Sequence, residues 1–317
     1  MKRRLLLLLT LFLFMCCLPS CSRSDVQEAF LDIGGRRYQI LLSSGLSSSF
    51  SDGELSFSAS PGEGHMIDLS GLNGCMDIHS LSFRLYEKTS EIVVPLLPEL
   101  TVIRVECPYV DKFSFEDPNG DVTVVFTGLL KNYTSAKTPE RLVFEGTCDL
   151  SAFSRGQTVK ELELGKPFDL ATVRKLSPVR LTLMGTGWDL SGLQGWNLDT
   201  LILEGDPAVD LSLLRECGLR SLILHSAPSL RGLEGSGIET LQISDNVTKD
   251  ISSLSGIDNL KTLILLVEDT GANWSCDIAD AEMLSSSLPV TPLDREVLSE
   301  FLAKGGVIKA ITESFHR

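Results

Sequence analysis

Four histidines (His65, His79, His225, His316) and eight cysteines are the residues of this 317-residue chain best suited to act as general bases, nucleophiles or metal ligands. Their spacing supports none of these roles. No Cys-x-x-Cys, His-Glu-x-x-His, Gly-x-Ser-x-Gly, phosphate loop or Gly-x-Gly-x-x-Gly occurs. His65 follows Gly62-Glu63-Gly64 without a partner at ligand spacing, and reads as a surface loop residue. Apart from the N-terminal segment and Cys21, five cysteines remain: Cys75, Cys107, Cys148, Cys217 and Cys276. An odd, widely spaced set denies a zinc site and a dense disulfide framework. Buried thiols acting as small apolar residues are the default, with one or two bridges left open in an oxidising compartment. Trp188, Trp196 and Trp274 read as packing residues. The residues point away from an enzyme and call for no cofactor and no metal.

Composition narrows the partners. Lys plus Arg total 28 against 42 Asp plus Glu, a net charge of -14. Nucleic-acid binding needs cationic side chains to displace counterions from phosphates, so this balance argues against it. With 43% hydrophobic and 22% charged residues the chain can bury a sizeable core.

Met1-Lys2-Arg3-Arg4 is a basic start, and Leu5 to Leu18 is a nearly unbroken apolar run, followed by Pro19-Ser20-Cys21 and a polar stretch. The run is short of the roughly 20 residues that a membrane-spanning helix needs. It suits an export signal over residues 1–20. The Leu18-Pro19-Ser20-Cys21 box resembles the signal of bacterial lipoproteins, with Pro19 as its departure. The resemblance implies acylation (palmitate among the acyl groups) and membrane attachment at Cys21. Ser22, where an Asp could stand, implies an outer-membrane address. An ordinary cleaved signal is the alternative. Cleavage before Cys21 would remove Lys2, Arg3 and Arg4 and take the net charge to -17.

Periodicity governs the rest. Leu198-Asp199-Thr200-Leu201-Ile202-Leu203 returns as Leu219 to Leu224, Ile238 to Ile243 and Leu260 to Leu265, each apolar-x-x-apolar-x-apolar. Weaker copies centre on Leu181, Leu162, Leu142, Val124, Ile103, Leu81 and Leu55. From Leu81 to Leu263 the intervals are 22, 21, 18, 20, 19, 20, 21, 19 and 22 residues. A second element keeps the same beat: Asp149-Leu150-Ser151, Asp169-Leu170-Ala171, Asp189-Leu190-Ser191, Asp210-Leu211-Ser212 and Asp250-Ile251-Ser252, with Asp68-Leu69-Ser70 as an early copy and Ser229-Leu230 in the vacant place. One carboxylate per coil supplies too few oxygens for calcium, and its position suits a helix cap. Asn197, Gly218, Gly237 and Asn259 precede the strands and are expected at positive φ.

These two elements are similar to bacterial leucine-rich repeats of the short, internalin-like kind, over residues 52–267. The family's Asn after the strand is present only as Asn246; Thr147, Pro167, Thr186, Asp206 and Ala227 occupy the equivalent places. The resemblance implies an α/β solenoid dominated by β, with stacked coils sharing a parallel sheet. Residues 21–51 are expected to form an N-terminal tether and cap, with a hairpin from Leu31 to Ile40 and a loop from Ser43 to Ser51. Residues 268–317 are expected to form a mixed C-terminal cap, its helix starting with Thr291 as N-cap and Pro292 at the first position. Leu293, Val297, Phe301 and Leu302 would share one face until Gly305-Gly306 ends the helix.

The residue between the last two apolar strand positions should face outward. That column reads Arg104, Val125, Val143, Glu163, Thr182, Ile202, Ile223, Gln242, Ile264. We take Val125, Val143, Ile202, Ile223, Gln242 and Ile264 as candidates for binding a protein or peptide across an exposed apolar stripe. Strand propensity alone would also favour Val, Ile and Thr there. From Glu140 to Lys261 the flanking charges are mixed, so no specifically basic partner is indicated. The expected role is a lipid-anchored envelope scaffold, an adhesin or interaction module; the alternative is a structural envelope lipoprotein with no soluble ligand.

Overall fold

The structure, a computed structural model, describes residues 26–59, 65–86, 88–116, 121–135, 139–146, 153, 158–267, 275–280, 282–284 and 293–312. Cys21, Cys148, Asp149, Thr291, Pro292 and His316 lie outside them. Two hairpins open the fold, β1 (Val26–Ile33) with β2 (Arg36–Ser43), and β3 (Leu46–Ser51) with β4 (Glu54–Ala59). Gly34 and Gly35 turn the first at φ 57° and 74°, as a two-residue hairpin loop requires. The expected loop from Ser43 to Ser51 is instead mostly strand. Its alternating Leu46 and Phe50 pack on the core, and Gly45 makes the turn.

Strands then alternate between two sheets: β5 (His65–Asp68), β6 (Ser80–Arg84), β7 (Thr89–Val94), β8 (Val102–Glu106), β9 (Tyr109–Phe115), β10 (Thr123–Phe126), β11 (Leu129–Leu130) and β12 (Tyr133–Ser135). From here the chain contributes single strands: β13 (Arg141–Phe144), β14 (Glu161–Leu164), β15 (Arg180–Met184), β16 (Thr200–Glu204), β17 (Ser221–Leu224), β18 (Thr240–Ser244) and β19 (Thr262–Val267). β20 (Ser275–Ile278), a helix (Arg295–Ala303) and β21 (Val307–Thr312) close the described chain. A 14-stranded sheet runs β20-β21-β19-β18-β17-β16-β15-β14-β13-β10-β8-β6-β4-β3. A seven-stranded sheet runs β1-β2-β5-β7-β9-β11, with β12 also on β9. The fold is β-dominated and rich in parallel pairing.

The repeat period becomes strand register. Leu55, Leu81, Ile103, Val124, Leu142, Leu162, Leu181, Leu201, Leu222, Leu241 and Leu263 each pair with the next across the ladder, and Ile308 extends the row. All face the core. Opposite the single-strand stretch stand short helical turns, each opened by an aspartate. Asp169, Asp189, Asp210 and Asp250 accept hydrogen bonds from the N–H of the residue two positions on, at 2.9–3.1 Å. Ser229 fills the vacant place: its hydroxyl accepts from Arg231 N–H and donates to Asp250.

Three local expectations are corrected. Asn197, Gly218, Gly237 and Asn259 do not adopt positive φ; Ser177 (42°), Gly195 (70°) and Gly235 (73°) do. The left-handed residue comes earlier because it ends the helical turn, as at Ser177, whose N–H bonds the Arg174 carbonyl. The C-terminal helix is capped by Asp294, whose carboxylate accepts from Glu296 and Val297 N–H, and not by Thr291. Among the expected face residues Leu293, Phe301 and Leu302 are buried, joined by Leu298, with Val297 half-buried. β21, inside the expected cap, belongs to the long sheet itself.

Candidate functional site

Alternation along each strand of the long sheet puts leucines inward and leaves three rows on the outer face. The middle row runs in ladder register through Arg104, Val125, Val143, Glu163, Thr182, Ile202, Ile223, Gln242, Ile264 and Lys309. All six candidate partner-binding residues therefore share one line. Their exposure differs from expectation: Val125, Val143 and Ile202 are only 5–6% exposed, while Ile223, Gln242 and Ile264 are half-buried. The stripe is not broadly exposed, and over the Val125 strand the side chains of its neighbours account for it. Arg104 on β8 reaches over β10 to pair with Glu145 after β13 at 3.0 Å, passing above the Val125 strand.

Beside this covered stretch the face dips. A depression of about 320 Å³ over β13 to β16 is lined by Arg141, Glu163, Arg180, Thr182, Ile202 and Glu204, among others. Arg141 and Glu163 pair with each other. Arg180 and Glu204 have no ion-pair partner among the described residues. At the strand entrances charge is balanced between coils: Lys160 with Glu140, Arg220 with Asp199 at 3.2 Å, and Lys261 with Glu239 at 3.0 Å. Such exposed pairs contribute little stability each, but they leave few acids on that row free for a basic partner. No protein-family model, curated protein or solved structure matches this chain.

The histidines do not converge on a site. His65, expected in a surface loop, is 3% exposed at the start of β5, with no hydrogen-bond partner for either ring nitrogen among the described residues. The strand pairs with β7 and turns that side chain inward, which the preceding glycines had hidden. His79 is exposed, its Nδ1 3.4 Å from the Glu99 carbonyl. Among the described residues no three His, Cys, Asp or Glu gather to hold a metal. Cys75 and Cys217 are buried free thiols; Cys107 is also buried and Cys276 half-buried. Burial pushes the Cys107 and Cys217 thiols up, opposite to an activated nucleophile.

Two features escaped the sequence reading. Asp206, in the place of the repeat's Asn, is buried and accepts from Gly187 N–H (2.8 Å), Trp188 N–H (3.3 Å) and Ala208 N–H (3.1 Å). Asn246, the apparent family residue, is exposed, and Thr248 takes the inward role by donating to the Ala227 carbonyl at 2.8 Å. The second feature is the strand on the return side of each early coil. Ile92, Val94, Phe113 and Phe115 are buried at period-two spacing, a signal that was present in the sequence.

Proposed function

We propose that the chain is a leucine-rich-repeat solenoid, lipid-anchored at Cys21 in a bacterial envelope, and that it acts as a scaffold for a protein or peptide and not as a catalyst. The observation that carries this reading is the outer face from Arg141 to Ile264. Its middle row stays in register over seven strands and borders a depression in which Arg180 and Glu204 have no ion-pair partner among the described residues, beside Met184 and Ile202. Interfaces of this kind combine a partly apolar centre with a polar rim. The occupant would be an extended segment laid across the strands. The outer membrane is the proposed address, on the Ser22 resemblance. No described helix is long and apolar enough to cross the membrane, so attachment in this reading falls to the acyl chains.

The burial of Val125, Val143 and Ile202 favours a second reading, a structural envelope lipoprotein whose outer row only stabilises its own sheet. Placing a photo-crosslinking residue at Gln242 in intact cells separates the two. The scaffold reading predicts one specific adduct that Ile223→Glu with Ile264→Glu abolishes; no adduct, or one that this variant leaves unchanged, favours the structural role. Labelling with a clickable fatty acid tests the anchor: wild type should label and Cys21→Ala should not.

A further inference from the structure

Where the outer face of the long sheet bends into the smaller sheet, ladder register puts Tyr86, Pro108 and Leu129 at equivalent corners of successive turns, with Gly128 one place before Leu129. Tyr86 is 69% exposed, the most exposed of the large hydrophobic side chains among the described residues. It borders a depression of about 330 Å³ that also takes in Arg84, Glu106, Pro108 and Thr127, with the buried Cys107 at its floor. Gly128 lets its turn pack directly on the backbone of the preceding one: a Cβ there would lie 2.0 Å from the Cys107 carbonyl oxygen. Arg84 and Glu106 pair through a single contact, Nε to Oε2 at 3.4 Å, with 64% and 36% of their side chains exposed. The other guanidinium N–H groups and the second carboxylate oxygen remain for a ligand.

The geometry points to a saccharide site at this corner, with Tyr86 as the stacking platform and Arg84, Glu106 and Thr127 as the polar wall. A pyranose with equatorial hydroxyls presents a flat face of C–H groups to an aromatic ring and a rim of alternating donors and acceptors to its surroundings. An exposed tyrosine face beside a guanidinium, a carboxylate and a hydroxyl is complementary to both. A purely apolar ligand would leave the Arg84 and Glu106 groups unsatisfied, and an anion would meet Glu106 beside its only cationic contact. A β-1,4-linked, gluco-configured oligosaccharide fits best, because its ring faces stay flat along the chain. This site lies on other coils than the depression over β13 to β16 and does not depend on the proposed protein partner.

The test uses the mature chain with cellotetraose and chitotetraose as probes, followed by saturation-transfer NMR and titration. A shallow site of this size should bind one of them with a Kd on the order of 1 mM. Tyr86→Ala should weaken binding at least about tenfold, and Arg84→Gln by less; the exposed Tyr86 makes unfolding an improbable cause, and circular dichroism checks it. Saturable binding lost in Tyr86→Ala and retained in Ile223→Glu supports the site. No saturable binding of either probe, or binding that Tyr86→Ala leaves unchanged, overturns it.

Discussion

Between Ser80 and Ser135 each turn of the chain carries strands for both sheets, the last with both β11 and β12 in the smaller one; between Glu161 and Val267 it carries one strand and, on the return side, a short turn, mostly helical. The long sheet passes through both regions without a break in its ladder. What changes is the filling. Facing sheets lie about 10 Å apart and need large side chains between them. The two-sheet region and the strands flanking it supply aromatics: Phe57 stacks on Phe83 at 5.3 Å, Phe126 on Phe144 at 5.7 Å, and Phe113 meets Phe126 edge-on at 5.3 Å. The helical-turn region closes with Leu170, Leu190, Leu211 and Leu230 against Leu183, Leu203, Leu224 and Ile243. One sheet thus accepts two backings, and the inward residue near the strand end is mostly Phe over the first (Phe57, Phe83, Phe126, with Val105) and mostly Leu over the second (Leu164, Leu183, Leu203, Leu224, with Ile243).

The largest expected effect lies in the aromatic filling. Phe126→Ala removes a ring that touches Phe113 and Phe144, and should cost about 3–5 kcal/mol by urea unfolding. The reverse change, Leu183→Phe, puts an aromatic ring into the leucine-backed region and should cost about 1–3 kcal/mol by overpacking. If Leu183→Phe were neutral, the two fillings would be interchangeable and the contrast would fail.

Asp206 tests the turns of the second region. Asp206→Ala leaves the N–H groups of Trp188, Gly187 and Ala208 without their acceptor and should cost about 1–3 kcal/mol. Asp206→Asn keeps one carbonyl acceptor and should retain part of that. Equal losses for the two variants would show that the charge, and not the acceptor geometry, is what the turn uses.

Acid should act on the same side of the molecule. The Ser212 and Ser252 hydroxyls, helped by the backbone N–H groups, hold Asp210 and Asp250 below the ordinary carboxylate range. A depressed folded-state pKa gives stability that is complete above the unfolded value and lost as pH falls through the folded one. The expected urea midpoint is therefore level near neutrality and declines through and below the ordinary carboxylate range. Ser212→Ala with Ser252→Ala should lower the neutral plateau and shrink the acid loss. An unchanged acid loss would exclude these caps as its source. Smallest of all is the outer face: Ile223→Glu should move stability by only about 0.5 kcal/mol or less, whereas Ile202→Glu, at a buried position of the same row, should destabilise measurably.

The sheet was legible in the sequence because a parallel ladder converts a fixed repeat into fixed register, so Leu81 to Leu263 could be paired by counting. Aspartate caps were legible for a similar reason, since Asp-Leu-Ser carries its chemistry locally. The second sheet was not, because Thr89 to Val94 and Tyr109 to Phe115 lie off the dominant beat and alternate only over short runs. β21 was hidden by the segment that separates it from the repeat. The covered state of Val125 depends on the Arg104 and Glu145 side chains of neighbouring strands, and alternation within one strand cannot report it. Tyr86 carried no pattern at all; its place beside Pro108 comes only from the ladder register.

The continuity of the long sheet where its backing changes is tested most directly by amide hydrogen exchange with mass spectrometry across β10, β13 and β14. The account predicts that peptides covering Val124 to Phe126, Leu142 to Phe144 and Leu162 to Leu164 share one slow exchange class and open together under increasing urea. Rapid exchange at Leu142 to Phe144, with the two regions opening at separate urea concentrations, would contradict it.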